Sequence, residues 1–230
     1  MNNKDEAESL RHRARTPRAA AVAGIVFSIL QIATLVLVRS SIPDNPLGPV
    51  AELISHNRAI SVALSLQPFA AIAFLWFIAV LRDRLGELED RFFATVFLGS
   101  GLLYIAMMLV SSALAGGLLG ILAGDAGELV RTGGYGLGRL EIAQMQVYAA
   151  KMAGVFMMST CTISLQTRIV PRWMVFLGFL LALVLLLGAE WSRWFTLVFP
   201  LWVLLISIHI LIENLRAQPS IASGDKGARA

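Results

Sequence analysis

Charge is scarce in this chain. Of its 230 residues only 15% are Asp, Glu, Lys or Arg, while 57% are hydrophobic. An ordinary soluble domain carries about 25% charged residues, and no soluble-looking stretch here approaches the roughly 100 residues of a typical domain. Histidine is limited to His12, His56 and His209, too far apart for a metal-ligand motif, so no metal is expected. The single cysteine, Cys161, excludes an internal disulfide. A lone His in an apolar run also excludes bis-histidine haem. Gly133, Gly134, Gly136 and Gly138 follow no strand and do not make a dinucleotide-binding turn. No cofactor is expected.

What fills the chain is long apolar runs, giving a mean hydropathy of +0.73. Runs of this kind, not a general enrichment, point to membrane spans. The fold class that follows is all-α: a polytopic integral membrane protein built as a bundle of six transmembrane helices. The spans fall at about 19–38, 59–81, 92–114, 142–164, 173–189 and 195–213, against about 20 residues needed to cross. The fifth is short. Joining it to the sixth as one helix would bury Glu190 and Arg193 in hydrocarbon, so a hairpin is the cheaper solution. Residues 1–18 read as a basic cytoplasmic segment, 19–213 as the transmembrane domain and 214–230 as a disordered cytoplasmic tail. The first apolar run is longer than the 7–15 residues of a signal peptide and no A-x-A site follows it, so it reads as a retained helix.

The net charge of +4 does not signal nucleic acid, because the basic residues flank apolar runs. With the N-terminus inside, the inner segments hold thirteen of them: Lys4, Arg11, Arg13, Arg15, Arg18, Arg82, Arg84, Arg91, Arg168, Arg172, Arg216, Lys226 and Arg229. The outer segments hold five: Arg39, Arg58, Arg131, Arg139 and Arg193. That asymmetry places both termini in the cytoplasm. Trp173 then falls at the inner interface and Trp191 and Trp194 at the outer one. The outer connection Ser40 to Asn57, with Pro43, Pro46 and Pro49, reads as an irregular loop. Gly124 to Glu141 reads as flexible. The stretch 115–124 is either a helical extension or a re-entrant element, and Gly116, Gly120 and Gly124 give it one smooth face for close packing.

Few polar residues interrupt the spans, and those that do carry the functional expectation. Lys151 lies nine residues into the fourth span, roughly 13 Å below its outer end at about 1.5 Å per residue. A lysine at that depth must be solvated, paired or deprotonated. Gln144, Tyr148 and Lys151 share one helical face by their spacing. Gln31, Gln67 (beside Pro68) and Tyr104 fall at comparable depth on the first three spans. The functional reading is an outward-facing pocket in which Lys151 binds a lipid phosphate or other small anionic ligand. The alternative is that the glutamines and tyrosines are interhelical glue and Lys151 snorkels to the headgroups. His209 and Glu213, at i and i+4, form a candidate proton-handling pair.

No catalytic set accompanies these residues. Ser100 in Gly99-Ser100-Gly101 departs from the Gly-x-Ser-Gly of intramembrane serine proteases, because Leu98 stands at the first position. No mid-membrane acid in the first five spans suggests ion-coupled transport. The expected role is therefore non-enzymatic: binding or moving a small amphiphile or anion, or serving as an accessory subunit beside copies of itself or other membrane proteins. A membrane-embedded enzyme acting on a lipid-linked substrate is the alternative.

Several segments carry a resemblance. Phe74-Leu75-Trp76-Phe77, Leu81 to Gly86 and Glu89 to Leu103, about thirty residues, resemble uncharacterised multi-pass membrane proteins of actinobacteria. The basic residue and Ala-x-x-Gly between Arg18 and Gly24, with Pro171-Arg172-Trp173 before the fifth span, are similar to bacterial six-helix membrane families of unknown function. The likeness implies a six-helix fold in a bacterial plasma membrane and implies no activity. Asp83-Arg84-x-Gly86 resembles the loop between the second and third helices of major-facilitator transporters. It departs from that pattern at Ala79, where Gly is usual, and in the acids that replace the later basic pair. A solvated, self-paired hairpin accounts for the same residues.

Overall fold

The computed structural model describes residues 3–41, 50–85, 91–167 and 171–216. They form α1 (Asn3–Ser41), α2 (Val50–Leu85), α3 (Arg91–Arg131), α4 (Gly134–Thr167), α5 (Arg172–Gly188), a 3-10 turn at Arg193–Leu197, and α6 (Val198–Arg216). Among the described residues there is no strand. The all-helical expectation holds.

Among the described residues four helical stretches are long and apolar enough to cross a membrane: Ala19–Val38, Ser61–Arg82, Ala94–Ile121 and Trp194–Glu213. Six were expected. The 17 residues of α5 are apolar but short. α4 is long, but Gln144, Gln146, Lys151 and the Ser159-Thr160 pair dilute it, and it is not among the four.

The boundaries differ from expectation where helix continues through sequence that reads as loop. α1 includes Asn3–Arg18, and α2 begins at Val50, directly after the last of three prolines. Proline fits just ahead of a helix, where its missing N–H costs nothing. Of the segment expected to be an irregular loop, residues 42–49 lie outside the described residues, as do 86–90 of the expected inner loop and the tail from 217. The glycine-rich stretch is helical on both sides of Thr132–Gly133, so 115–124 is a helical extension. Of the described glycines only Gly133 has positive φ, at 75°, a conformation that closes a helix cheaply only without a Cβ. The turn is held by Tyr135 and Ile142 packing on Ala115 and Leu118.

α1 packs on α2 and α6, α3 on α2 and α4, and α4 on α5. Close approach is bought at glycines other than those expected. A Cβ on Gly24 of α1 would collide with Ser207 of α6 and Phe77 of α2. One on Gly178 of α5 would collide with Cys161 of α4 and Trp202 of α6. Gly120 has nothing within 4 Å of such a Cβ.

The centre is aromatic. Phe74 of α2 contacts Phe27 of α1, Tyr104 of α3, Phe156 of α4 and Phe199 of α6, with ring centroids 4.5, 5.5, 5.3 and 5.5 Å away. One side chain thus ties five helices together. The outward faces are also apolar: Val22, Val26 and Ile29 on α1, Phe69, Ile72 and Trp76 on α2, Phe176, Leu180, Leu183 and Leu187 on α5, and Leu201, Leu205 and Ile208 on α6. Ser28, Gln31, Thr34, Gln67, Ser111, Ser159, Thr160 and Ser207 are buried instead.

Candidate functional site

Polar side chains inside an apolar bundle need partners, and most hydroxyls find them locally. Ser28 donates to Gly24 O, Ser159 to Val155 O and Thr160 to Phe156 O, each one helical turn back. Ser100 donates to Val96 O at 2.7 Å and Phe97 O at 3.1 Å, a packing role in keeping with the failed protease pattern.

The two glutamines meet. Gln67 Nε2 donates to Gln31 Oε1 at 3.0 Å, joining α1 to α2 inside the bundle. Gln31 Nε2 and Gln67 Oε1 have no partner among the described residues. One turn outward, Thr34 donates to Ala63 O at 3.3 Å. Pro68 sits beside this seam within α2. Having no N–H, it releases the carbonyl of Leu64 from its helical bond. Leu64 and Thr34 border a cavity of about 10 Å³ with Met108, Ser111, Ser112 and Gln146, room for one water molecule.

Lys151 has a partner. Its Nζ donates to Glu190 Oε1 at 2.7 Å, across from α4 to the turn after α5. The sequence places Glu190 at the outer boundary and Lys151 well below it. They meet because α5 ends early: its C-terminal end, Gly188, lies two residues before Glu190. The turn between α5 and α6 thus lies beside the middle of α4. Beyond Lys151, α4 continues for another 17 residues to Gly134, about 25 Å. Lys151 holds the Glu190 carboxyl below its ordinary value, first by the hydrogen bond and then by its charge.

Beside the turn after α5 lies an open cleft of about 340 Å³, lined by Ala143, Gln144, Gln146, Val147, Ala189, Glu190 and Thr196. Gln146 borders both this cleft and the small cavity beside Thr34.

The expected polar layer is thus divided. Gln144 lines the cleft, and Lys151 anchors its Glu190 wall. Gln31 and Gln67 form a separate seam on α1 and α2. Tyr148 is 47% exposed on the outside of α4. Tyr104 does not belong to a polar layer: its ring is 6.2 Å from that of Phe27 and 4.6 Å from that of Phe199. His209 Nε2 lies 3.4 Å from Glu213 Oε1, an ion pair only when the imidazole is protonated. At that geometry the buried Nε2 has no hydrogen bond.

Glu190, Gln146 and Thr34 complete these sites and are not singled out by spacing. The available signal for Glu190 is the shortness of α5, which brings the next loop charge down to Lys151. Among the described residues no group of three His, Cys, Asp or Glu side chains gathers. Comparison with family models, curated proteins and solved structures finds no match.

Proposed function

We propose that this chain is a six-helix integral membrane protein of a bacterial plasma membrane, with both termini in the cytoplasm, that binds a small amphiphile non-enzymatically in the outer cleft beside Lys151 and Glu190. The reversed surface supports the membrane setting: broad aliphatic faces outside and glutamine, serine and threonine inside, the opposite of a soluble protein. The apolar α5 and the long α4, packed among the four candidate spans, supply the fifth and sixth crossings. The excess of inner Lys and Arg supports the orientation.

The observation that carries the ligand reading is the 340 Å³ cleft with amides and a carboxylate in its wall. Sites for small molecules have about this size and a few convergent polar groups. The ion pair changes the expected ligand. Glu190 neutralises Lys151, so a bare anion meets no net positive charge. A neutral polar or zwitterionic headgroup fits better.

Cysteine accessibility tests both halves. In sealed vesicles, Asn45→Cys should react with an impermeant thiol reagent from the outer side and Glu87→Cys from the inner side; the same side for both rules out the topology. A bound amphiphile should slow labelling of Gln144→Cys and spare that of Asn45→Cys. If no amphiphile slows it, the cleft is not a ligand site.

A further inference from the structure

The short α5 has a consequence for lipid that rests on the membrane reading above. The apolar stretch of α3 spans 28 residues and α5 only 17, about 42 Å against about 26 Å, where a bilayer core is about 30 Å thick. A short crossing draws the bilayer thinner beside it. The outer headgroups therefore descend toward the turn between α5 and α6. Trp191, 87% exposed, and Trp194, 64% exposed, stand at that turn, and indole rings prefer the headgroup level.

What the headgroups meet is a fixed pair of opposite charges. Lys151 engages Oε1 of Glu190, leaving Oε2 of a side chain that is 64% exposed. An ammonium group can donate to that oxygen. Lys151 retains two further N–H donors on Nζ, which suit a phosphate oxygen, and the Gln144 and Gln146 amides lie along the same cleft.

We propose that the cleft selects the headgroup of a zwitterionic phospholipid bearing a primary ammonium, the phosphatidylethanolamine class. A headgroup of net zero charge complements an ion pair of net zero charge. A purely anionic headgroup such as phosphatidylglycerol offers a phosphate to Lys151 but no ammonium to Oε2 of Glu190. A choline headgroup has a quaternary nitrogen and no N–H to donate. The occupant is a lipid because the cleft opens where α5 leaves the bilayer short, beside two exposed indoles.

Native mass spectrometry of the full chain, purified in detergent and titrated with the three phospholipids, tests this. The expected result is retention of phosphatidylethanolamine over the other two by roughly tenfold, equivalent to about 1.4 kcal/mol, and loss of that preference in Glu190→Gln. Gln144→Ala, which leaves the ion pair in place, should weaken retention without erasing the preference. Equal retention of all three lipids by the unaltered chain overturns the proposal, as does an unchanged preference in Glu190→Gln. Soluble glycerophosphoethanolamine competing as well as the lipid overturns the lipid assignment. In these cases slowed labelling of Gln144→Cys by another amphiphile would leave the cleft reading intact, so the two fail separately.

Discussion

The aromatic centre and the polar level outside it are built from the same helices and follow opposite rules. Around Phe74 every large surface meets another ring, from five helices at once. Near Gln31, Gln67 and Glu190, by contrast, two buried amide atoms have no partner among the described residues, the Glu190 side chain is 64% exposed and two cavities share Gln146 as a wall. Packing fills the first region and specifies the fold. The second region holds bonding capacity that the fold does not use, and it is there that a ligand has something to gain.

The strongest test of this contrast is at the centre. Phe74→Ala should lower stability by about 3–5 kcal/mol, the cost of an aromatic truncation with its cavity, read as a shift in denaturant unfolding in detergent. A loss under 1 kcal/mol would mean the centre is not the keystone. The glutamine seam should be weaker. A double-mutant cycle of Gln31→Leu and Gln67→Leu should give a coupling of about 0.6–1.7 kcal/mol, the range for interhelical hydrogen bonds in membranes, with the double variant less destabilised than the sum of the singles. Purely additive losses would mean that the amides act separately.

The ion pair sharpens the comparison through pH. Because Lys151 lowers the Glu190 carboxyl from 4.5, its contribution is complete above that value and is lost as pH falls through the lower, folded-state value. The difference in unfolding midpoint between the unaltered chain and Glu190→Gln should therefore be constant above pH 4.5 and shrink only below it. A difference that changes near neutrality would assign the effect to another group. The smallest effect belongs to Tyr148→Ala on the outer face of α4, expected within about 0.5 kcal/mol. A larger loss in vesicles than in detergent would show that the lipid-facing phenol has a partner.

The helices are legible in the sequence because apolar length is a local property, and so is the place of Lys151 within the fourth of them. The partners are not. Whether Lys151 meets a headgroup, a water or Glu190 depends on where a neighbouring helix stops, which is a difference between two elements. Tyr104 is the reverse case: its depth matched Gln31 and Gln67, but depth does not say whether a residue's face looks toward amides or rings. The glycines taught the same lesson. Those at 133–138 read as a flexible loop by composition, yet only Gly133 uses the freedom glycine offers, because Tyr135 and Ile142 have a surface to pack on.

That two-residue turn at Thr132–Gly133 also bears on how such a chain would be made. α3 carries a 28-residue span long and apolar enough to cross a membrane, whereas α4, with its lysine and glutamines, is not among the candidate spans. A connection too tight to let them separate would oblige the pair to enter together, α4 carried in by its neighbour. Lengthening the turn with a flexible insert would then strand α4 at the translocation channel during synthesis, a failure of biogenesis in a sequence whose finished contacts are untouched.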